Sequence, residues 1–154
     1  MPPALAGFGS SLAAGSRFGQ AWTVDVIRLD ASLAAGCYLV RGRSSTVWVL
    51  DWRPPLQAYV VRVRGDGSPT DSVDGRWVPL VSVAGIDPDT GVSEPAVIRV
   101  GRRHRWTTNP GTRTGWSESW VVQSRCTGIE PIPRNRAEAL LTETTGARTA
   151  DDRR

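Results

Sequence analysis

The densest run of chemistry-bearing side chains is Arg99-x-x-Arg102-Arg103-His104-Arg105-Trp106. Guanidinium forks grip phosphates and carboxylates in bidentate geometry, and an indole beside them stacks on a flat ring. On a strand, successive side chains alternate. Arg103 and Arg105 then share one face, and Arg102, His104 and Trp106 share the other. Such a face suits phosphate contact with base stacking, an acidic patch on a protein partner, or a charged edge strand that resists unwanted pairing. A second basic strip, Arg62 and Arg64, alternates with Val61 and Val63 and is expected on the outer side of a half-buried strand.

Catalytic arrangements are harder to assemble. His104 is the only histidine. Its arginine neighbours are expected to depress its pKa, and they offer no orienting carboxylate for a Ser–His–Asp triad. There is no Gly-x-Ser-x-Gly elbow and no phosphate-binding loop. Asp66, Asp71, Asp74, Asp87 and Asp89 fall in two loops, neither with the alternating acids and terminal Glu of a calcium-binding EF-hand. The second loop, GIDPDTG over 85–91, reads as a self-bonded Asx turn. Glu118 between Trp116 and Trp120 resembles a sugar-stacking platform, but the sequence offers no second carboxylate at a defined separation. Arg64-Gly65-Asp66 spells an adhesion tripeptide and is also ordinary hairpin chemistry. Cys37 and Cys126 belong to no Cys-x-x-Cys motif and read as buried small hydrophobes, with a disulfide between them left open. The expectation is a non-enzyme with no metal and no cofactor.

The elements that must position these residues are mostly strands. Seven tryptophans (Trp22, Trp48, Trp52, Trp77, Trp106, Trp116 and Trp120) lie in or beside runs rich in Val, Ile and Thr. Sixteen glycines and 11 prolines, with Asn and Asp, punctuate those runs. Strands are expected over 21–30, with a bulge or two buried faces where the alternation flips, and over 37–41, 46–52 and 58–64. Others are expected over 76–83, with Pro79 pushing that strand to a sheet edge, and over 96–100, 102–107 and 116–123. Pro131 and Pro133 are expected to break the sheet. Asn135 and Glu138 then read as a capping box for a short helix ending near Leu141.

The fold class is therefore mainly β, an antiparallel sandwich or barrel of about seven strands with a flexible N-terminal arm and one short C-terminal helix. The organisation is an arm over 1–20, a β domain over 21–128, and a helix with a polar tail over 129–154. At 154 residues one core is expected. All 19 basic residues are arginine, and the formal charge of +4 is too modest to imply nucleic acid without clustering. No apolar run approaches a membrane span, and the first cation, Arg17, follows the small-residue stretch, so a secretory signal is not expected.

An all-arginine, tryptophan-rich small β domain with a pliant arm, acidic turns such as GIDPDTG and a helix-plus-tail end resembles virion proteins of tailed phages that infect high-GC bacteria. The resemblance lies in overall organisation. It implies a head–tail connector, stopper, tail or capsid decoration protein, found in the virion and assembled in the host cytoplasm. Partners would be copies of itself and other virion proteins, with no membrane. The arm, through Phe8 and Phe18, and the tail would order in the assembly, and arginines would bridge acidic partners. Two alternatives stand beside it. A nucleic-acid-binding barrel would use Arg62, Arg64, Arg102, Arg103, Arg105 and Trp106, and a carbohydrate-binding module would use Trp116 and Trp120.

Overall fold

Segments rich in Val, Ile and Trp pair as antiparallel strands, and Gly, Pro, Asn and Asp separate them. The computed structural model describes residues 15–18, 21–30, 35–111, 115 and 117–151, and within these the side chains between 24 and 143. In chain order the elements are β1 Gly15–Phe18, β2 Ala21–Val24, β3 Val26–Arg28, β4 Gly36–Gly42, β5 Val47–Trp52, β6 Tyr59–Val63 and β7 Val78–Ile86. They continue with β8 Ser93–Pro95, β9 Val97–Arg99, β10 Arg103–Thr108, β11 Ser119–Gln123, β12 Cys126–Ile132 and α1 Arg134–Asp151.

Ten strands form one sheet in the order β1-β2-β12-β4-β5-β6-β7-β10-β11, with β8 beside β7, while β3 and β9 make a separate ribbon. The ends of that order do not pair with each other, so the sheet is not a closed barrel. Instead it doubles back. Trp48 on β5 stacks on Trp106 on β10, ring centroids 4.9 Å apart and planes 9° from parallel, although two strands separate β5 from β10 in the sheet. A sandwich results. An offset aromatic pair of this kind adds about 1 kcal/mol beyond the area it buries. The Trp106 indole N–H donates to Gln123 Oε1 at 3.1 Å, and Gln123 Nε2 donates to the Val40 carbonyl at 3.3 Å, tying β10, β11 and β4 together.

Every residue of β5 is buried, which requires cover on both faces. Trp48, Leu50 and Trp52 face the sandwich interior with Val40, Val60 and the ribbon residues Ile27 and Ile98. Val47 and Val49 face the other way with Leu39, Val61 and Val63, and α1 seals that side through Ala137, Leu140 and Leu141. The molecule therefore has three layers where β4, β5 and β6 lie.

Several expectations change. The flipped alternation over 21–30 is neither a bulge nor one doubly buried strand. The chain breaks at Asp25, β2 joins the large sheet and β3 leaves it to pair with β9. Within the expected arm, 15–18 is a strand paired with β2. Pro79 sits inside the sheet, because β7 is flanked by β6 and β10. It lies at the end of the β6 pairing and beside the irregularity that leaves Val81 without a partner on β10. Pro131 does not break the sheet either. It pairs with Tyr38 of β4, past the single pairing of β12 with β2 at Ile129, where a missing donor costs nothing to a ladder. The β region thus reaches Ile132. The helix starts at Arg134 rather than being capped by Asn135, since the Pro133 carbonyl accepts from Arg136 and Ala137 N–H, and it continues past Leu141 to Asp151.

The cysteines stay apart. On the β4–β12 ladder Cys37 faces Ile132 and Cys126 faces Gly42, a separation of about 17 Å at strand rise, beyond disulfide reach. Cys37 packs on the helix side and Cys126 in the sandwich interior, both as free thiols.

Candidate interaction surfaces

Strand β10 carries the arginine-rich run and holds it as alternation requires. His104, Trp106 and Thr108 are buried, while Arg103 and Arg105 are exposed on the opposite face. On the neighbouring β11, Val122 stands across from Arg105 and Trp120 across from Thr107. Cross-strand partners share a face, so Trp120, 67% exposed, lies diagonally beside Arg105. Neither Arg103 nor Arg105 has an ion-pair partner among the described residues.

Most other guanidiniums are matched. Arg62 was expected on an outer face but is buried on β6. It pairs with Asp74, and Nη1 and Nη2 donate to the Pro69 carbonyl at 3.1 and 3.2 Å. The 65–75 loop folds back over this strand, so both faces of β6 are covered. Arg102 precedes β10 and pairs with Asp87. Arg99 grips Glu94 at 3.0 and 3.2 Å, with Arg28 on the same carboxylate at 3.5 Å. Trp106 is fully buried in the core stack. Of the remaining expected contact residues, Arg64 is half-buried just past β6, Phe8 and Trp116 lie outside the described residues, and so does the side chain of Phe18.

The 85–91 loop is the Asx turn expected of it. Asp87 Oδ1 accepts from the N–H groups of Asp89 and Thr90 at 2.9 and 3.1 Å, and Gly91 adopts φ 73°. With Arg99, Arg102 and Arg125 it rims a cleft of about 210 Å³. Its charges largely cancel, because Asp87 holds Arg102 and Asp89 approaches Arg125 at 3.9 Å.

His104 is sealed from solvent. Its Nε2 accepts the Arg99 backbone N–H at 2.9 Å, which requires the neutral ring protonated on Nδ1, and Nδ1 has no hydrogen-bond partner among the described residues. Burial pushes the imidazole down to about 4, with the Gln123 side chain pulling the other way. The depression is as expected from sequence, but its cause is burial rather than the neighbouring arginines. A ring so enclosed reaches no substrate. It is a core residue.

A second surface was not expected from sequence. Between the end of β5, the start of β6 and the first turn of α1 lies a groove of about 460 Å³. Its apolar wall is Leu56, Tyr59 and Trp77, with Leu56 68% and Tyr59 42% exposed. Its polar end is Asp51, nearly buried, which accepts from Arg53 Nε and Nη2 at 3.0 and 3.2 Å and from Arg134 Nη1 at 2.6 Å. The readable sign was an acid inside an apolar strand, VWVLDW, which demands a cationic partner. Arg53 was visible two residues on, whereas Arg134 comes from α1. No family model, curated protein or solved structure matches the chain.

Proposed function

We propose that this is a non-catalytic structural protein that works by fastening polypeptide to polypeptide, as a head, neck or tail component of a viral particle. The observation that carries the reading is the outer face of β7, β10 and β11. There two guanidiniums without ion-pair partners among the described residues stand beside an exposed indole, while the other described strand-borne arginines are largely neutralised by the chain's own carboxylates. Exposed arginine and tryptophan side by side are the residue types that protein interfaces favour as anchors. The virion assignment draws on the organisation of the chain. The assembly role draws on this face.

A single-strand nucleic-acid role has one specific observation in its favour, the Arg105–Trp120 adjacency. It has lost Arg62, Arg102 and Trp106 as contacts, which are buried or paired. Light scattering of the purified chain over a range of concentrations, alone and with single-stranded DNA or polysaccharide at two salt levels, separates the readings. Assembly predicts a mass that rises with concentration without either additive. A chain that stays monomeric throughout and gains mass only with DNA, steeply less so at higher salt, rejects the assembly reading.

A further inference from the structure

We propose that the groove between β5, β6 and α1 is a docking site for a partner polypeptide segment that pairs a leucine-like side chain with a carboxylate. The inference adds a second contact surface and its chemistry, and it rests on the reading that the chain grips polypeptide.

The charge arrangement selects the ligand's polar group. Two guanidiniums converge on the single Asp51 carboxylate, and both arginine side chains are about half exposed, at 51%. Arg53 uses Nε and Nη2 on Asp51 and Arg134 uses Nη1, which leaves Arg53 Nη1 and Arg134 Nη2 without acceptors among the described residues. Glu138 approaches Arg134 Nε at 3.6 Å from the next turn, a half-exposed pair of the weak i,i+4 kind, and it does not line the groove. Arg134 is also the first residue of α1, so the positive end of the helix dipole stands at the same place. An incoming carboxylate meets free donors and a favourable field. An incoming cation meets neither.

The wall selects the apolar part. Leu56 and Tyr59 are large hydrophobic groups left in water at the edge of a cavity, where a leucine-sized side chain would cover them. The Trp77 indole N–H is buried and lacks an acceptor among the described residues, and its ring forms part of the wall. Gln57 is already engaged, its Nε2 donating to the carbonyls of Ala58 and Leu80 at 2.9 and 2.8 Å, so it holds the rim rather than the ligand.

The test is a titration of the full, nitrogen-labelled chain with acetyl-leucyl-leucine carrying a free terminal carboxylate, and with its amide, read at the indole and arginine Nε–H resonances. The acid is expected to shift the Trp77, Arg53 and Arg134 signals and to bind about tenfold more tightly than the amide. Added salt should narrow the difference. Arg134→Gln should abolish it, and Leu56→Ala, at an exposed position that leaves the fold intact, should weaken both forms. Silence at these resonances, equal binding of acid and amide, or shifts confined to Arg103, Arg105 and Trp120 overturns the proposal. Self-association that persists while the groove stays silent overturns the groove alone and leaves the assembly reading standing.

Discussion

A neutral histidine locked inside a sandwich makes the whole fold sensitive to mild acid. His104 titrates near 6.5 in an unfolded chain and is pushed down to about 4 by burial in the folded one. Above pH 6.5 both states are neutral and the residue contributes no pH dependence. As pH falls below 6.5 the unfolded chain gains a proton that the folded chain refuses, so stability drops until the folded ring also titrates near 4. Denaturant unfolding should therefore show about 2 kcal/mol less stability at pH 5 than at pH 7. Glu94, held below its ordinary carboxylate range by the hydrogen bond from Arg99, loses its contribution only at lower pH, which makes pH 5 the informative point. His104→Gln should flatten the profile between pH 7 and 5. An unchanged slope in that variant would place the acid sensitivity elsewhere. Residue-level legibility was uneven for a related reason. That Arg103 and Arg105 share a face followed from alternation alone, whereas the burial of Arg62 depends on Pro69 and Asp74, which the loop after β6 folds back onto the strand.

Among elements, strands between clear turns were legible because β-branched runs and turn residues agree locally: β4, β5, β6 and β10 fall within a residue or two of where the pattern puts them. The errors share a cause, which is that pairing partners are invisible in a single segment. A proline in β7 or β12 argues against a strand until it is known that the missing donor falls where no ladder needs it. The flip at Asp25 marks a change of sheet, a fact about β9 and β12 rather than about the strand itself. The Arg64-Gly65-Asp66 tripeptide shows the same point and yields a prediction. A Cβ on Gly65 would lie 2.0 Å from Ser45 Oγ and 2.4 Å from the Ser45 carbonyl carbon, so the two turns cross where only glycine fits. The crossing is held by the Gly65 N–H to Thr46 Oγ1 at 3.0 Å and by Ser45 Oγ to the Asp66 carbonyl at 3.3 Å. Gly65→Ala should cost about 1–3 kcal/mol as the backbones part, lowering the midpoint of thermal unfolding by several degrees. An alanine variant as stable as the parent would mean that the crossing is loose and that the glycine is free for another role.

At the scale of the whole molecule, cover is uneven. Helix α1 closes the outer side of β4, β5 and β6, and the outer side of β7, β10 and β11 keeps Arg103, Arg105 and Trp120 in solvent. An antiparallel sheet tolerates one wet face, so this openness needs no partner for stability. That independence is what makes the assembly role testable. Replacing Trp120 by Ala together with Arg103 and Arg105 by Gln changes exposed side chains with no partners among the described residues, and folding stability should move by no more than about 0.5 kcal/mol for each site. If this face is the contact, self-association measured by scattering should weaken by on the order of 100-fold, since buried tryptophan and arginine anchors are each worth about 2 kcal/mol at an interface and do not add fully. Arg136→Gln on α1, which removes only a half-exposed pair with Glu143, serves as the control and should leave association unchanged. A triple variant that folds normally and associates as tightly as the parent would move the contact away from the bare sheet. The groove beside α1, with unmet arginine donors and uncovered apolar groups, would then be the next surface to test.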